Sequence, residues 1–290
     1  MTVPAPAVAL ALAVVLAMTG CASASDGVRI AGSPTADRTP YAGSLTPPPL
    51  TAADRPGAAG VVVRCSSTPV GGSAASPYTG GAVATTADGA LDVASGEGVF
   101  DLATRSLTRE RTERDRVLFT TSYHGIARQA VVVRRGPAGP GAGADADGLG
   151  WYVESWARCD LADFPDAVSE AYGVQVWSDR DGDRVPTTTV VSSSGPEHCG
   201  WQEMTFLDLD GGAIGGSGGE TFVDRPSADL AGYFGAEAEV HLALPADSVE
   251  TGYHLGARRL WLAPGHAVAY VGTPEDVAAW PRETRPVGCA

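Results

Sequence analysis

The chain of 290 residues contains no lysine: all 20 of its basic side chains are arginine. That absence removes whole classes of chemistry. A phosphate-binding P-loop needs its Lys at the nucleotide phosphates. Pyridoxal phosphate enzymes need a Schiff-base Lys, and S-x-x-K hydrolases need theirs. The five cysteines include no C-x-x-C pair, so zinc and thioredoxin-like redox chemistry lose support. Positive charge is scarce as well: 34 Asp and Glu outweigh the arginines, for a net charge of −14 and a pI near 4.7. Such a surface repels phosphate backbones, which argues against a nucleic-acid partner. Other proportions are ordinary for a globular protein, with 44 % hydrophobic and 19 % charged residues. The length suffices for one or two domains with real cores.

No apolar run is long enough to span a bilayer, but a shorter one opens the chain. In "MTVPAPAVALALAVVLAMTGCASASDG" residues Ala7 to Met18 are uniformly apolar. That length suits the core of a signal peptide and falls short of the roughly 20 residues a transmembrane helix needs. "MTGC" then resembles the lipobox of bacterial lipoproteins, with Thr19 and the small Gly20 ahead of Cys21. The resemblance implies that residues 1–20 are a lipoprotein signal peptide. Cys21 would become the new N-terminus and carry the lipid, palmitate included, on the outer face of the cell membrane. The alternative is cleavage at "ASA", after Ala24, which gives a freely secreted protein.

Residues 21–57 are rich in Ser, Thr, Pro, Gly and Ala and poor in large apolar groups. Such a segment buries too little surface to offset its ordering entropy, and is expected to be a disordered tether. With Cys21 set aside, four cysteines remain: Cys65, Cys159, Cys199 and Cys289. An even number in an exported protein points to two disulfides. The pairing Cys65–Cys159 with Cys199–Cys289 brackets two β-rich domains, 58–160 and 164–290, each closed by its own bridge.

The expected class is α+β, mainly β, with two small antiparallel-sheet domains. In the first, "GVVVRC" reads as a buried strand and "TTADGALDVASGEG" as a short helix. "RVLFTTSYHGIARQAVVVRRG" reads as a hairpin about His124 and Gly125, and "GWYVESWARCD" as a closing strand. In the second, "AYGVQVWS", "RVPTTTVVSSS", "WQEMTFLDL" and "TFVD" read as strands, and "RRLWLAPGHAVAYVG" as a hairpin. "TPEDVAAWPR" carries helix-start signals: Thr273 as N-cap, Pro274 at the first position, then Glu275 and Asp276.

Each motif with possible chemistry has a plainer reading. "VWSDRDGDRVPT", residues 176–187, places Asp179, Asp181 and Asp183 within five residues. An EF-hand loop needs its Gly after the third acid and a Glu six residues later, and neither is present. Asp181-Gly182 between β-rich runs predicts instead a hairpin turn of type I′. "GGSGG" around Ser217 satisfies G-x-S-x-G but lacks the helix a nucleophile elbow requires, so a flexible loop is expected. "TRSLTRERTERDRV", residues 104–117, holds five Arg and three acids, and reads as a charged face paired within itself. His198 beside Cys199 suggests a metal or thiol site, but Cys199 is needed to make the cysteine count even. His254 and His266 stand near each other in the last hairpin region, with no H-E-x-x-H spacing anywhere. Six Trp could stack on a glycan, although core packing is their commoner use. No catalytic, cofactor-binding or metal residue is assigned.

"ARCDLADF", "VWSDRDGDRVPTTTVVSSSGPEHCGWQ", "LPADSVETGYH", "LWLAPGHAVAYVG", "VAAWPR" and the terminal "GC" resemble uncharacterised lipoproteins of actinobacteria, a family without an assigned activity. The expectation is a lipid-anchored extracytoplasmic binding or structural protein of the cell envelope with a protein or glycan partner and no cofactor. The alternative is an envelope hydrolase or glycan-acting enzyme with a dispersed site.

Overall fold

The structure, a computed structural model, describes residues 39–46, 56–73, 83–96, 107–137, 144–209, 219–228 and 230–288. The first sheet is an antiparallel meander with one added strand. It is built from β1 (Val70–Ser73), β2 (Thr108–Glu113), β3 (Arg116–Tyr123), β4 (Ile126–Pro137) and β5 (Leu149–Arg158), ordered β1-β5-β4-β3-β2. The β3–β4 turn is the expected two-residue one: Tyr123 faces Ile126, and His124 and Gly125 both take positive φ. The valines of β4 form a continuous buried run because both faces of this sheet are covered. On one face α2 (Ala87–Gly96) lays Ala87, Ala90, Leu91 and Ala94 on Val117, Phe119, Val131 and Val133.

On the other face lies α1 (Gly57–Val62), where a strand was expected in "GVVVRC". The reason is its period: Ala58, Ala59 and Val62 are buried against the sheet while Val61 is 49 % exposed, a helical spacing that a strand cannot give. Residues 39–46, within the stretch expected as tether, lie on this same face. Leu45 is fully buried there. The backbone N–H of Tyr41 donates to Glu110 Oε1 at 2.6 Å, and Arg111 donates to the Gly43 carbonyl at 2.7 Å.

Cys65 and Cys159 form a disulfide spanning 94 residues and tie the end of α1 to the end of β5. Asp160 follows, buried, and its carboxylate accepts from Ala162 N, Thr187 N and Thr187 Oγ1 at 2.7–2.9 Å. It thereby caps the short 3-10 turn Leu161–Asp163 and fixes the loop ahead of the next sheet. After α3 (Asp166–Ala171) the described residues form strands, turns and three short 3-10 helices, Glu197–Cys199, Ala231–Tyr233 and Pro264–His266.

The second sheet contains β6 (Val174–Val176), β7 (Val190–Ser194), β8 (Thr205–Leu209) and β9 (Glu220–Val223), in that order. The third contains β10 (Glu239–Leu242), β11 (Val249–Leu255), β12 (Arg258–Leu262), β13 (Val268–Thr273) and β14 (Asp276–Pro281), ordered β10-β14-β13-β12-β11. They pack face to face. Trp177, Val190, Leu207 and Phe222 from one side meet Leu260, Leu262, Val271 and Trp280 from the other. Two backbone bridges join the sheet edges: Ser178 with His254, and Phe222 with Arg282. The ladder therefore runs round through eight strands, with β10 added outside on β14, and few strand edges stay open.

The chain is mainly β, with antiparallel sheets and few helices, as the α+β expectation had it. One disulfide is seen in full rather than one per domain. Cys199 is also disulfide-bonded, while Cys289, its expected partner, lies outside the described residues. Two further local expectations fail. "TPEDVAAWPR" is not helical: Thr273 pairs with Asp276 across Pro274 and Glu275, and β14 follows. Its local helix signals yield to tertiary packing, because Ala278 and Trp280 enter the core only in a strand. The Asp179–Asp183 tip is a hairpin of another type. Gly182 N donates to Asp179 O (3.1 Å), Asp179 N donates to Asp183 O (2.9 Å), and Gly182 alone takes positive φ. This is a type I turn closed by a glycine bulge, which does not need the positive φ at Asp181 that type I′ demands.

Candidate functional site

Ionisable groups gather at the seam where β9 meets the end of β14. Two constellations sit back to back on these strands. On the outer face of the second sheet, Asp208 lies opposite Thr221, whose hydroxyl donates to Asp208 Oδ1 at 2.6 Å. Across the seam Glu283 N donates to Thr221 O at 2.8 Å. Asp208 is only 7 % exposed although its strand neighbours Leu207 and Leu209 face the core. An outer layer accounts for this. Leu230 and Phe234 pack with Met204 and Val223, joined by Val287. Burial pushes the Asp208 carboxyl up to about 6, with nearby Glu283 adding to the rise and Thr221 opposing it. Burial likewise raises Glu283.

On the other side of β9, Glu220 holds two basic partners. Its Oε2 lies 2.7 Å from His266 Nδ1, and its Oε1 accepts from Arg282 at 2.6 Å. His266 adopts φ +56°, a conformation that side chains other than glycine rarely take. Gly265 beside it, at φ +75°, makes the sharp β12–β13 connection. The arrangement orients an imidazole against a carboxylate that a guanidinium in turn fixes. Perturbed carboxyls and a carboxylate-oriented His gathered on one seam are what a site of proton exchange is built from.

The residues singled out in the sequence fall elsewhere. Cys21, Cys289 and Ser217 lie outside the described residues. Asp179 Oδ1 accepts the N–H groups of Asp181 and Asp183, both at 3.0 Å, so it serves its own turn. The arginines of 104–117 within the described residues are largely engaged. Arg109 meets Asp88 and sits over the Phe119 ring, and Arg116 grips the buried Glu154 with two hydrogen bonds of 2.7 and 2.8 Å. His254 bridges Ser178, whereas His266 reaches Glu220, so the two do not meet. None of the six Trp is exposed, and Trp177, Trp261 and Trp280 are buried. Cys65, Cys159 and Asp163 lie close enough to suggest a metal site, but the two sulfurs are already bonded to each other.

Sequence reading missed Asp208, Thr221 and Glu283. The alternation in "FLDL" marks Asp208 as facing away from the core, which by itself means solvent. Nothing local reveals the outer layer that buries it. No family model, curated protein or solved structure gives a significant match to the chain.

Proposed function

We propose that the chain is a lipid-anchored extracytoplasmic protein of the bacterial cell envelope, of the actinobacterial lipoprotein kind, serving as a binding or structural module. Residues 1–20 direct export, Cys21 carries the lipid, and the body stands on the outer face of the membrane as two β-rich domains, 58–160 and 164–290. A second bridge, Cys199–Cys289, closes the latter. The single observation that carries the reading is the Cys65–Cys159 disulfide. Such bonds persist in oxidising compartments and are rare in the cytosol, so the bond agrees with the export signal read from a distant part of the chain.

Charge distribution bears on the partner. After residue 160 the chain holds 20 Asp and Glu against 7 Arg. An anionic unit of this kind disfavours nucleic acid and steers cationic protein or glycan surfaces toward it. Fractionation tests the address: the protein should sediment with membranes and redistribute to the medium on Cys21→Ala.

One observation favours an envelope hydrolase instead, namely the raised Asp208 carboxyl beside Glu283. Paired acids are the usual equipment of glycan hydrolysis. Turnover of a glycan or ester panel by the purified protein, abolished in Asp208→Asn, would establish that reading.

A further inference from the structure

A bulge in β2 sets two consecutive side chains on one face of the first sheet. Arg109 pairs with Phe119 and Arg111 with Leu118, so Glu110 is the extra residue between them. Neighbouring side chains of a regular strand point to opposite faces, and a bulge re-aims one of them. Arg109 accordingly meets Asp88 of α2, while Glu110 and Arg111 both turn to the face that carries α1. Thr120 fixes Glu110 there, its hydroxyl donating to Glu110 Oε2 at 2.6 Å. Arg111 is steadied by Glu113 at 3.2 Å. An acceptor and a donor thus stand side by side, matched to the N–H and C=O groups of an extended chain.

The segment Tyr41–Leu45 occupies them. Tyr41 N donates to Glu110 Oε1 at 2.6 Å, and Arg111 donates to the Tyr41 and Gly43 carbonyls at 3.3 and 2.7 Å. Burial alternates with the period of extended backbone: Tyr41, Gly43 and Leu45 are wholly or partly buried, whereas Ala42 and Ser44 are exposed. Leu45 belongs to the buried cluster that contains Leu118 and Val132, and Tyr41 packs against the same cluster. A residue without a side chain is needed between them, because a Cβ at Gly43 would lie 2.2 Å from Tyr41 Oη. Among the described residues no main-chain hydrogen bond ties 39–46 to a strand. The body therefore holds this segment by side chains, reading its main chain at three groups and its sequence at alternate positions.

We infer that the β2 bulge builds a peptide-recognition site, filled in this structure by the chain's own Tyr41–Leu45, and that the site takes from a partner an extended segment of the same chemistry, Tyr-x-Gly-x-Leu. Main-chain hydrogen bonds supply affinity in such sites, and pockets for alternate side chains supply specificity. The inference goes beyond the proposed membrane address and does not depend on it. A segment on the same chain meets the site at an effective concentration on the order of millimolar, so it excludes a free peptide until its own grip is weakened.

A fluorescently labelled peptide of residues 38–47, RTPYAGSLTP, tests the site on the full chain by anisotropy. Leu45→Ser removes the buried anchor from the resident segment, and this variant should bind the peptide at least tenfold more tightly than the wild-type chain does. A peptide methylated on the Tyr41 nitrogen cannot donate to Glu110 and should bind at least tenfold more weakly, whereas an Ala42→Ser peptide should bind like the original. Should Leu45→Ser fail to fold, a protease site inserted between Thr46 and Pro56 serves instead: after cutting, the labelled peptide should displace the resident segment from an otherwise wild-type body. Capture by neither protein, equal capture by the uncut wild-type chain, or undiminished binding of the methylated peptide overturns the inference.

Discussion

Ser178 and His254 exchange backbone hydrogen bonds in both directions, each 2.8 Å long. This one pair fastens the Asp179–Asp183 hairpin to β11 and closes one edge of the packed sheets. The hairpin crosses β11 at Gly252, which has φ +91°, and a Cβ there would lie 2.8 Å from Arg180 Nε. Gly252→Val therefore meets both backbone strain and a clash. A loss of about 2–3 kcal/mol is expected in denaturant unfolding. A neutral result would mean that the hairpin does not rest on β11.

The same hairpin should ignore calcium. Asp179 is committed to the N–H groups of Asp181 and Asp183, so millimolar calcium should leave the melting temperature where it is. A site occupied at a hundredfold over its dissociation constant would add about 2.7 kcal/mol, an easily measured upshift. An upshift lost in Asp181→Asn would reinstate a metal site.

Asp208 makes stability depend on pH. Its carboxyl is held near 6 in the folded protein against about 4 when unfolded, so the native state binds more protons between those values. The stabilisation is full below pH 4 and is lost as pH rises through 6, amounting to about 3 kcal/mol. Asp208→Asn should abolish that descent and be more stable than wild type at pH 8. Urea unfolding at pH 4.5, 6 and 8 measures both. Parallel pH profiles of the two proteins would show that Asp208 is not the group responsible.

Glu154 is 3 % exposed and held by Arg116 with two hydrogen bonds, with Arg134 at 3.3 Å. Its hydrogen bond and charge raise the Arg116 guanidinium further above its ordinary range, against the opposing effect of burial. Glu154→Ala removes both of those hydrogen bonds, leaving Asp115 at 3.0 Å as the remaining partner of the guanidinium, and should cost about 2–3 kcal/mol. A cost under about 1 kcal/mol would mean the pair is solvated, as exposed pairs are.

What the sequence made legible follows from how local each signal is. The β3–β4 hairpin was readable because a β-rich run, "YHG" and another β-rich run sit within twenty residues. The Cys65–Cys159 bond was readable from the even number of cysteines left after Cys21 and from the expectation that each bridge closes one β-rich half of the chain. The helix over Gly57–Val62 was not, since three consecutive valines favour a strand until the sheet that buries Ala58, Ala59 and Val62 is known. Likewise β14 carries good helix-start residues and becomes a strand because β13 and β10 flank it. The Asp208–Thr221–Glu283 row joins positions up to 75 residues apart in the numbering through the β9–β14 seam, and no local pattern announces it.

Non-reducing peptide mapping tests the covalent frame. A Cys65–Cys159 peptide is expected, and with it a Cys199–Cys289 peptide. Removing the first bond, by Cys65→Ser with Cys159→Ser, should cost about 2–5 kcal/mol. Recovery of a Cys159–Cys199 peptide would contradict both the pairing and the boundary near Asp160.

The proposed address is tested most directly by the intact mass and N-terminal residue of the protein isolated from its own cells. A mature chain that begins at Cys21, carries a diacylglyceryl mass increment on that residue and partitions with membranes is the predicted result. A chain that begins at Ser25 without lipid, recovered from the medium, would contradict the anchor, and an unprocessed chain beginning at Met1 with free thiols at Cys65 and Cys159 would contradict export altogether.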